Sequence, residues 1–108
     1  RLELLADRDR LRADGEDMAF VTFRVTDRAG TVCPDARDRI AFEVEGPAEI
    51  AAVDNGDPTD LDPFPQPSRR AFHGLGVVYL RATRGPGDRV VLRASGKPGA
   101  AQIELRVV

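Results

Sequence analysis

Residues 53–74 form a proline-rich stretch between two apolar runs, and this stretch limits the possible folds more than any other part of the sequence. Asn55 and Gly56 give it a strong turn signal, because both residue types tolerate positive φ. Four prolines follow, which remove backbone donors and disfavour helical geometry in the residues before them: Pro58, Pro63, Pro65 and Pro67. We therefore predict a long loop here, with neither a helix nor a central strand.

A loop of this length needs partners that hold it, since most connections inside compact domains have about 4–6 residues. Ordering its backbone costs about 1–2 kcal/mol per residue. Burial of Leu61, Phe64 and Phe72 would offset about 1.5–3 kcal/mol each, which is only part of that cost. We expect the loop to pack along the domain's own sheets, against a neighbouring domain of a longer protein, or against both.

Hydrophobic spacing in the rest of the chain predicts strands. In the clearest case, Val21, Phe23 and Val25 alternate with polar residues, which is the period of two that a half-buried strand shows. Seven runs are strand candidates, at residues 2–5, 18–26, 39–45, 49–54, 75–83, 89–95 and 102–108. Turn signals rich in glycine and proline separate them. The pattern predicts an all-β, immunoglobulin-like antiparallel sandwich of about seven strands with one long Pro-rich loop.

One segment has a competing interpretation. Leu4, Leu5 and Leu11 have helical spacing, so residues 5–12 also fit an amphipathic helix. The Asp14-Gly15 turn signal would end such a helix early, and we therefore favour strand at this end of the chain.

Length and composition bound the classes of function. With 108 residues, the chain is large enough for one domain, residues 1–108, and too small for two. Its net charge is −2 and its arginines are scattered among acids, which argues against nucleic-acid binding. Its apolar runs are too short to cross a membrane. Because the chain begins at Arg1 without Met, we expect it to be a segment of a larger protein.

The outward strand positions carry charge rather than aromatic rings. Their arginines alternate with glutamates, so we expect a solvated sheet face with ion pairs, formed by Arg24, Arg81, Arg93 and Arg106 among Glu43, Glu45 and Glu104. A flat sugar-binding face would need exposed aromatic residues. The chain has no Trp and one Tyr, Tyr79, which makes such a platform less expected.

Catalytic chemistry is not expected from this chain alone. His73 is the one histidine, and no spacing requires a nucleophile and an orienting carboxylate beside it, so we expect it to bond backbone at a bend. The loop carboxylates could in principle form a hydrolytic pair, but a sandwich this small predicts no deep cleft for them. They are Asp54, Asp57, Asp60 and Asp62.

Metal and cofactor binding are also not predicted. The same carboxylates could bind calcium, yet their order lacks the bidentate Glu of the helix-loop-helix calcium sites. Pairing with Arg69 and Arg70 is the simpler expectation for them. The single cysteine, Cys33, excludes an internal disulfide and a multi-cysteine metal site, and we interpret it as a small residue in a turn.

Two sets of motifs resemble known families. The Asp14-Gly15 turn, a valine-rich strand and the hairpin signal from Asp27 to Gly30 resemble bacterial Ig-like domains of the invasin type. The pair VDNGDP at residues 53–58 and RAFHG at residues 70–74 is more specific. It resembles the C-terminal Ig-like domain of glycoside hydrolase family 2 enzymes, chiefly β-galactosidases, over residues 13–108. That family usually has Asn where His73 stands, and Cys33 is a further departure.

This resemblance implies a non-catalytic accessory domain of a periplasmic or secreted enzyme. In that family the catalytic carboxylates lie in a separate barrel, so no catalytic residue is carried over, and the expected partners are other domains of the parent. The alternatives are a carbohydrate-binding module and an adhesin-like surface repeat. Candidate interface or structural residues follow from the loop and its ends: Asp54, Asn55, Gly56, Asp57, Phe64, Arg69, Arg70, Phe72, His73 and Gly74.

Overall fold

A computed structural model describes residues 1–57 and 67–108. These residues form nine β-strands, and none of them lies in a helix. The strands are β1 (Leu2–Ala6), β2 (Arg10–Leu11), β3 (Met18–Val25), β4 (Arg39–Glu45), β5 (Ala48–Asp54), β6 (Ser68–Arg70), β7 (Leu75–Ala82), β8 (Arg89–Gly96) and β9 (Gly99–Val107). Within this described part there is accordingly no helix that could span a membrane.

The strands form two sheets. The four-stranded sheet has the order β1-β3-β7-β5, and the five-stranded sheet has the order β2-β9-β8-β4-β6. All pairs are antiparallel except the short parallel pair of β2 with β9. Because β1 and β2 lie in different sheets, the first strand segment passes from one layer to the other, as in immunoglobulin-like sandwiches. The predicted fold class is confirmed.

Seven of the nine strands lie where hydrophobic spacing predicts them, although β9 begins earlier, at Gly99 rather than Gln102. The other two, β2 and β6, have 2 and 3 residues and are too short to show a period of two. The competing helix over residues 5–12 is wrong, because Leu5 pairs with β3 and Leu11 pairs with β9.

The core lies between the sheets and contains the inward residues of the alternating runs. Val21 and Phe23 on β3 are fully buried, as are Val78 and Leu80 on β7. Phe23 contacts Phe42 of the opposite sheet, with ring centroids 5.1 Å apart, and this aromatic pair joins the two layers. The prediction of which side of each long strand faces inward is therefore confirmed for these residues.

The Pro-rich stretch connects edges of different sheets. Asp54 ends β5 at the edge of the four-stranded sheet, and Ser68 begins β6 at the edge of the five-stranded sheet. The described residues at the two ends of the stretch therefore belong to different layers. The predicted long loop and its anchors Leu61 and Phe64 fall mainly on residues 58–66, outside the described residues.

The outer face of the five-stranded sheet is covered by its own charged side chains. Arg93 pairs with Glu45 at 3.0 Å and Arg89 pairs with Glu104 at 3.2 Å. Val91 lies between them in the register, on the outward side, and is only 3% exposed. The expected ion pairing is present here for Arg93, Glu45 and Glu104, whereas Arg106 has no ion-pair partner among the described residues.

Candidate functional site

The start of the Pro-rich stretch is a turn that its own side chains hold. Asp54 Oδ1 accepts a hydrogen bond from the Gly56 backbone N–H at 3.0 Å, and Asn55 Oδ1 accepts one from the Asp57 N–H at 2.9 Å. Gly56 adopts φ +76°, the left-handed conformation that Asn-Gly predicts. These are successive Asx turns, so the Asp54 carboxylate and the Asn55 amide stabilise backbone geometry.

Asn55 also joins the two sheets. Its side chain is 9% exposed, and its Nδ2 donates a hydrogen bond to the Arg70 carbonyl oxygen at 2.8 Å. The donor follows β5 and the acceptor ends β6, so one amide links the edges of the two layers. An aspartate at this position would keep the acceptor oxygen and lose the donor.

Arg69 is the largest fully buried side chain among the described residues, at 0% exposure. It pairs in register with Ile40, a core residue, so the arginine faces the interior of the sandwich. A buried guanidinium is costly unless hydrogen bonds and charge compensate it. Arg69 has a polar, electrostatic or ring interaction within the protein. Hydrophobic spacing could not have indicated a buried position here, because β6 has three polar residues in sequence.

Arg70, the next residue, is exposed and faces outward beside Arg39. The two neighbouring arginines of the candidate site thus differ in environment. The predicted pairing of the loop carboxylates with Arg69 and Arg70 stays a prediction, because Asp60 and Asp62 lie outside the described residues.

Phe72 to Leu75 forms a tight reversal. The Phe72 N–H donates to the Leu75 carbonyl at 2.9 Å, and the Leu75 N–H donates to the Phe72 carbonyl at 3.0 Å. The two residues between them both have positive φ, +53° at His73 and +78° at Gly74. This is the geometry of a two-residue type I′ turn, for which Asn-Gly is the favoured pair. His73 takes the position of Asn at some cost in backbone conformation.

His73 has the local structural role that the sequence predicts. Its side chain is exposed, its Nδ1 lies 3.3 Å from the Pro34 carbonyl oxygen, and its ring centroid lies 4.1 Å from that of half-buried Phe72. The contact with Pro34 holds the turn against the segment that follows β3.

Position 74 requires glycine both because a side chain would not fit there and because its φ is positive. A Cβ at this position would lie 2.4 Å from the Cys33 carbonyl oxygen, a distance that real structures do not show. The Gly74 carbonyl accepts a hydrogen bond from the Val25 N–H at 2.8 Å, which ties the turn to the end of β3. Cys33 is a free, half-buried cysteine.

The structure therefore divides the described candidate residues into a turn group, a buried arginine, an exposed arginine and a tight reversal. Nine of the ten lie in the described residues, and Phe64 lies outside them. Within residues 1–57 and 67–108, no group of three or more His, Cys, Asp or Glu side chains could hold a metal ion. The described carboxylates of the candidate site, Asp54 and Asp57, lie at the turn that begins the stretch.

A second surface was missed by the sequence analysis. The outward side of the four-stranded sheet carries apolar side chains, which line an open depression of about 560 Å³ together with Asp7 and Thr22. Thr22 lies between Leu5 and Val77 in the register. Phe20 is 45% exposed and Leu5 is 47% exposed. We call this surface the apolar face, and define it by Leu5, Phe20, Val77 and Tyr79.

Phe20 and Tyr79 form the centre of the apolar face. They are register partners on β3 and β7, and their rings meet edge to face, with centroids 5.3 Å apart and planes at 69°. The signal was available: Phe20 has the same parity as Thr22 in the alternating run, so it had to point outward once Val21 and Phe23 pointed inward.

Among the described residues, two carboxylates at the turn before β3 have lowered pKa values. Hydrogen bonds from the backbone N–H groups of Glu16 and Asp17 lower the pKa of Asp14. The backbone N–H of Arg12 donates to Asp17 at 2.7 Å, and this bond, together with the charge of Arg8, lowers the pKa of Asp17. These carboxylates bond the backbone between β1 and β3 and do not line the apolar face.

Comparison with known proteins gives a consistent result. Residues 2–106 match the model of the family described as glycoside hydrolase family 2 C-terminal domain 5. The chain is 39% identical over 102 residues to a β-galactosidase of Bacteroides ovatus. The matched region covers 94% of this chain and 11% of that protein. Its fold matches a glycosyl hydrolase family 2 structure from Bacteroides cellulosilyticus with a TM-score of 0.95 and 29% identity, over 100% of this chain and 14% of the other.

A third match is the structure of a β-glucuronidase from glycoside hydrolase family 2, with a TM-score of 0.83 and 28% identity, covering 99% of this chain and 11% of that one. In these comparisons the chain spans only 11% to 14% of the protein that it matches. The similarity therefore concerns one domain of much longer proteins.

Proposed function

The chain belongs to the glycoside hydrolase family 2 C-terminal domain 5 family, and we propose that it is a non-catalytic accessory domain which packs on and stabilises a β-galactosidase-type parent enzyme. The observation that carries the proposal is the family match over residues 2–106 in a chain that covers only 11% of a related β-galactosidase. The remaining length of such a protein has ample room for a separate catalytic domain.

The local chemistry of the candidate site supports a structural role. Asp54 accepts a backbone hydrogen bond, Asn55 links the two sheets, and His73 contacts a backbone carbonyl. Each of these groups is engaged by the domain's own backbone, whereas a catalytic acid or base must be aimed at a substrate atom.

The identity of the relatives supports a role that does not set the sugar. One match is a β-galactosidase and another is a β-glucuronidase, and both contain a region similar to this chain. A domain that occurs in enzymes named for different sugars fits a structural scaffold better than an element that selects the sugar. We propose that the sugar specificity of the parent lies elsewhere in its polypeptide.

The test compares the full-length parent enzyme with a variant that lacks residues 2–106. We expect the variant to hydrolyse a chromogenic β-galactoside with a kcat of the same order, and to unfold at a lower temperature or lose its oligomeric state. An unchanged melting temperature and oligomeric state would contradict the stabilising role. Complete loss of turnover in a variant whose remaining domains are folded would contradict the non-catalytic role.

A further inference from the structure

The apolar face has the anatomy of a protein interface. Protein–protein interfaces have an apolar, often aromatic centre with a polar rim. Here Phe20, Tyr79 and Leu5 lie at the centre, and an ion pair lies on each side of them along the strands. One rim pair is Arg24–Glu3 at 2.5 Å, and the other is Arg81–Glu49 at 2.6 Å.

The register places one rim pair at each end of the centre along the strands. On β3, Arg24 and Phe20 share the outward side with Thr22 between them, and on β7, Arg81 follows Tyr79 on the same side. Both rim pairs are neutralised within the domain, so they neither attract nor repel a charged partner strongly. The partner surface that fits this face is apolar and uncharged at its centre.

A carbohydrate fits the face less well. A sugar ring stacks on an aromatic ring that lies flat, with polar groups nearby to bond its hydroxyls. Phe20 and Tyr79 meet at 69°, so they form a ridge instead of a shared flat platform. The nearest carboxylate, Asp7, already accepts a hydrogen bond from the Phe20 N–H at 2.9 Å.

We propose that the apolar face is the surface through which this domain docks on another domain of its own polypeptide. This inference rests on the proposed function and names the surface that carries it, which differs from the loop that the sequence indicated. The length of the relatives supplies the occupant: about nine-tenths of each lies outside the region that matches this chain. A tethered partner meets the face at high effective concentration, so a modest patch is sufficient.

Hydroxyl-radical footprinting of the full-length parent enzyme tests the proposal, because it reports side-chain exposure residue by residue. Phe20 is 45% exposed in the domain, and the centre of an interface is nearly inaccessible. We therefore expect Leu5→Glu, which opens the face, to raise the oxidation rates of Phe20 and Tyr79 by about fivefold. Phe23 and Phe42 are buried core residues, and unchanged low rates for them show that the domain remains folded.

The matched control is Gln102→Glu, which adds the same charge to an exposed position on the five-stranded sheet and should leave all four rates unchanged. If Phe20 and Tyr79 react in the wild-type enzyme as fast as in Leu5→Glu, the face is open and the docking proposal is wrong. Protection that appears only with added galacto-oligosaccharide would contradict the proposal and identify a sugar as the occupant of the face. Protection that falls on dilution of the enzyme would contradict it and identify a second copy of the chain.

These results separate the two proposals. If removal of residues 2–106 lowers the melting temperature while the apolar face proves open, the accessory role stands and the docking surface lies elsewhere. If removal of the domain has no effect and the face is also open, both proposals fail.

Discussion

The outward faces of the two sheets differ in how much of a central valine each leaves exposed to solvent. On the five-stranded sheet, Val91 is only 3% exposed, although it lies outside the core cluster. Two ion pairs flank it in the register and shield it from solvent: Arg93–Glu45 and Arg89–Glu104. On the four-stranded sheet, Val77 is only half-buried, beside apolar neighbours.

These two faces show how a small sandwich can leave one face available for contact while it covers the other. Long charged side chains cover apolar surface with their stems while their heads remain in water, so the five-stranded face is complete in itself. The four-stranded face places its ion pairs at the ends and leaves its centre uncovered. Exposed apolar patches rimmed by polar residues are typical of interaction sites.

Truncation of the two valines should show the largest effect. Val91→Ala removes two buried methyl groups, and we expect the 108-residue chain to lose about 1.5–2.5 kcal/mol of unfolding free energy. Val77→Ala should cost about half of that or less, because Val77 is already partly hydrated. Urea unfolding measures both values, and the two variants share the same loss of strand propensity.

Equal losses of unfolding free energy for Val91→Ala and Val77→Ala in the 108-residue chain would show that the charged cover of Val91 has no energetic consequence. The two faces would then not differ in the way proposed. In the full-length parent enzyme, by contrast, the cost of Val77→Ala should rise towards that of Val91→Ala if a second domain covers the apolar face.

The passage between the two sheets gives a second prediction, which concerns pH. Asp17 bonds to the Arg12 backbone and pairs with Arg8, and both arginines flank β2, where the chain crosses from one sheet to the other. These contacts lower the pKa of Asp17 below its ordinary value of 3.8. A carboxylate with a lowered folded-state pKa stabilises the fold above its unfolded pKa, and the stabilisation disappears as pH falls through the folded pKa.

We therefore expect Asp17→Asn to lower the melting temperature at pH 7, and the difference from the wild type to shrink below about pH 3.8 and vanish at lower pH. Melting curves across this range measure it. Glu16→Gln is the matched control, because the Glu16 side chain makes no hydrogen bond or ion pair in the described part of the chain. A difference that is constant with pH would assign the effect to packing instead of charge.

The period of two predicted the fold well because long strands show it repeatedly. The runs with Val21 and Phe23 and with Val90 and Leu92 each have several inward positions, so the direction of the whole strand is determined. The short strands β2 and β6 could not be found in this way. Their pairing depends on neighbours that are distant in sequence, such as β9 and β4.

The candidate site was predictable only where local chemistry decides it. The Asn55-Gly56 turn and the bend at His73-Gly74 follow from residues that tolerate positive φ, and both are present. The burial of Arg69 was not predictable, because it results from the position of β6 against the core. The apolar face was predictable in part, since parity places Phe20 outward, but its partnership with Tyr79 required the register of β3 with β7.

The smallest expected effect concerns the β2 edge of the five-stranded sheet, where the outward face is not covered by ion pairs in the way that its centre is. Arg10 and Arg106 are register partners on β2 and β9, and Arg106 is also opposite Arg89 on β8. Arg89 pairs with Glu104, whereas neither Arg10 nor Arg106 has an ion-pair partner among the described residues. Like charges directly opposite each other on neighbouring strands destabilise a sheet.

Arg10→Glu replaces this repulsion by an opposite-charge pair, and we expect it to stabilise the 108-residue chain by about 0.2–1 kcal/mol in low-salt buffer. Arg10→Gln removes the repulsion without adding attraction, and should give a smaller gain. Both gains should fade in 1 M salt, where the screening length is only about 3 Å. A loss of stability in Arg10→Glu at low salt would show that the Arg10–Arg106 pair is compensated in a way that the register does not reveal, and that the five-stranded face is charge-balanced up to its edge.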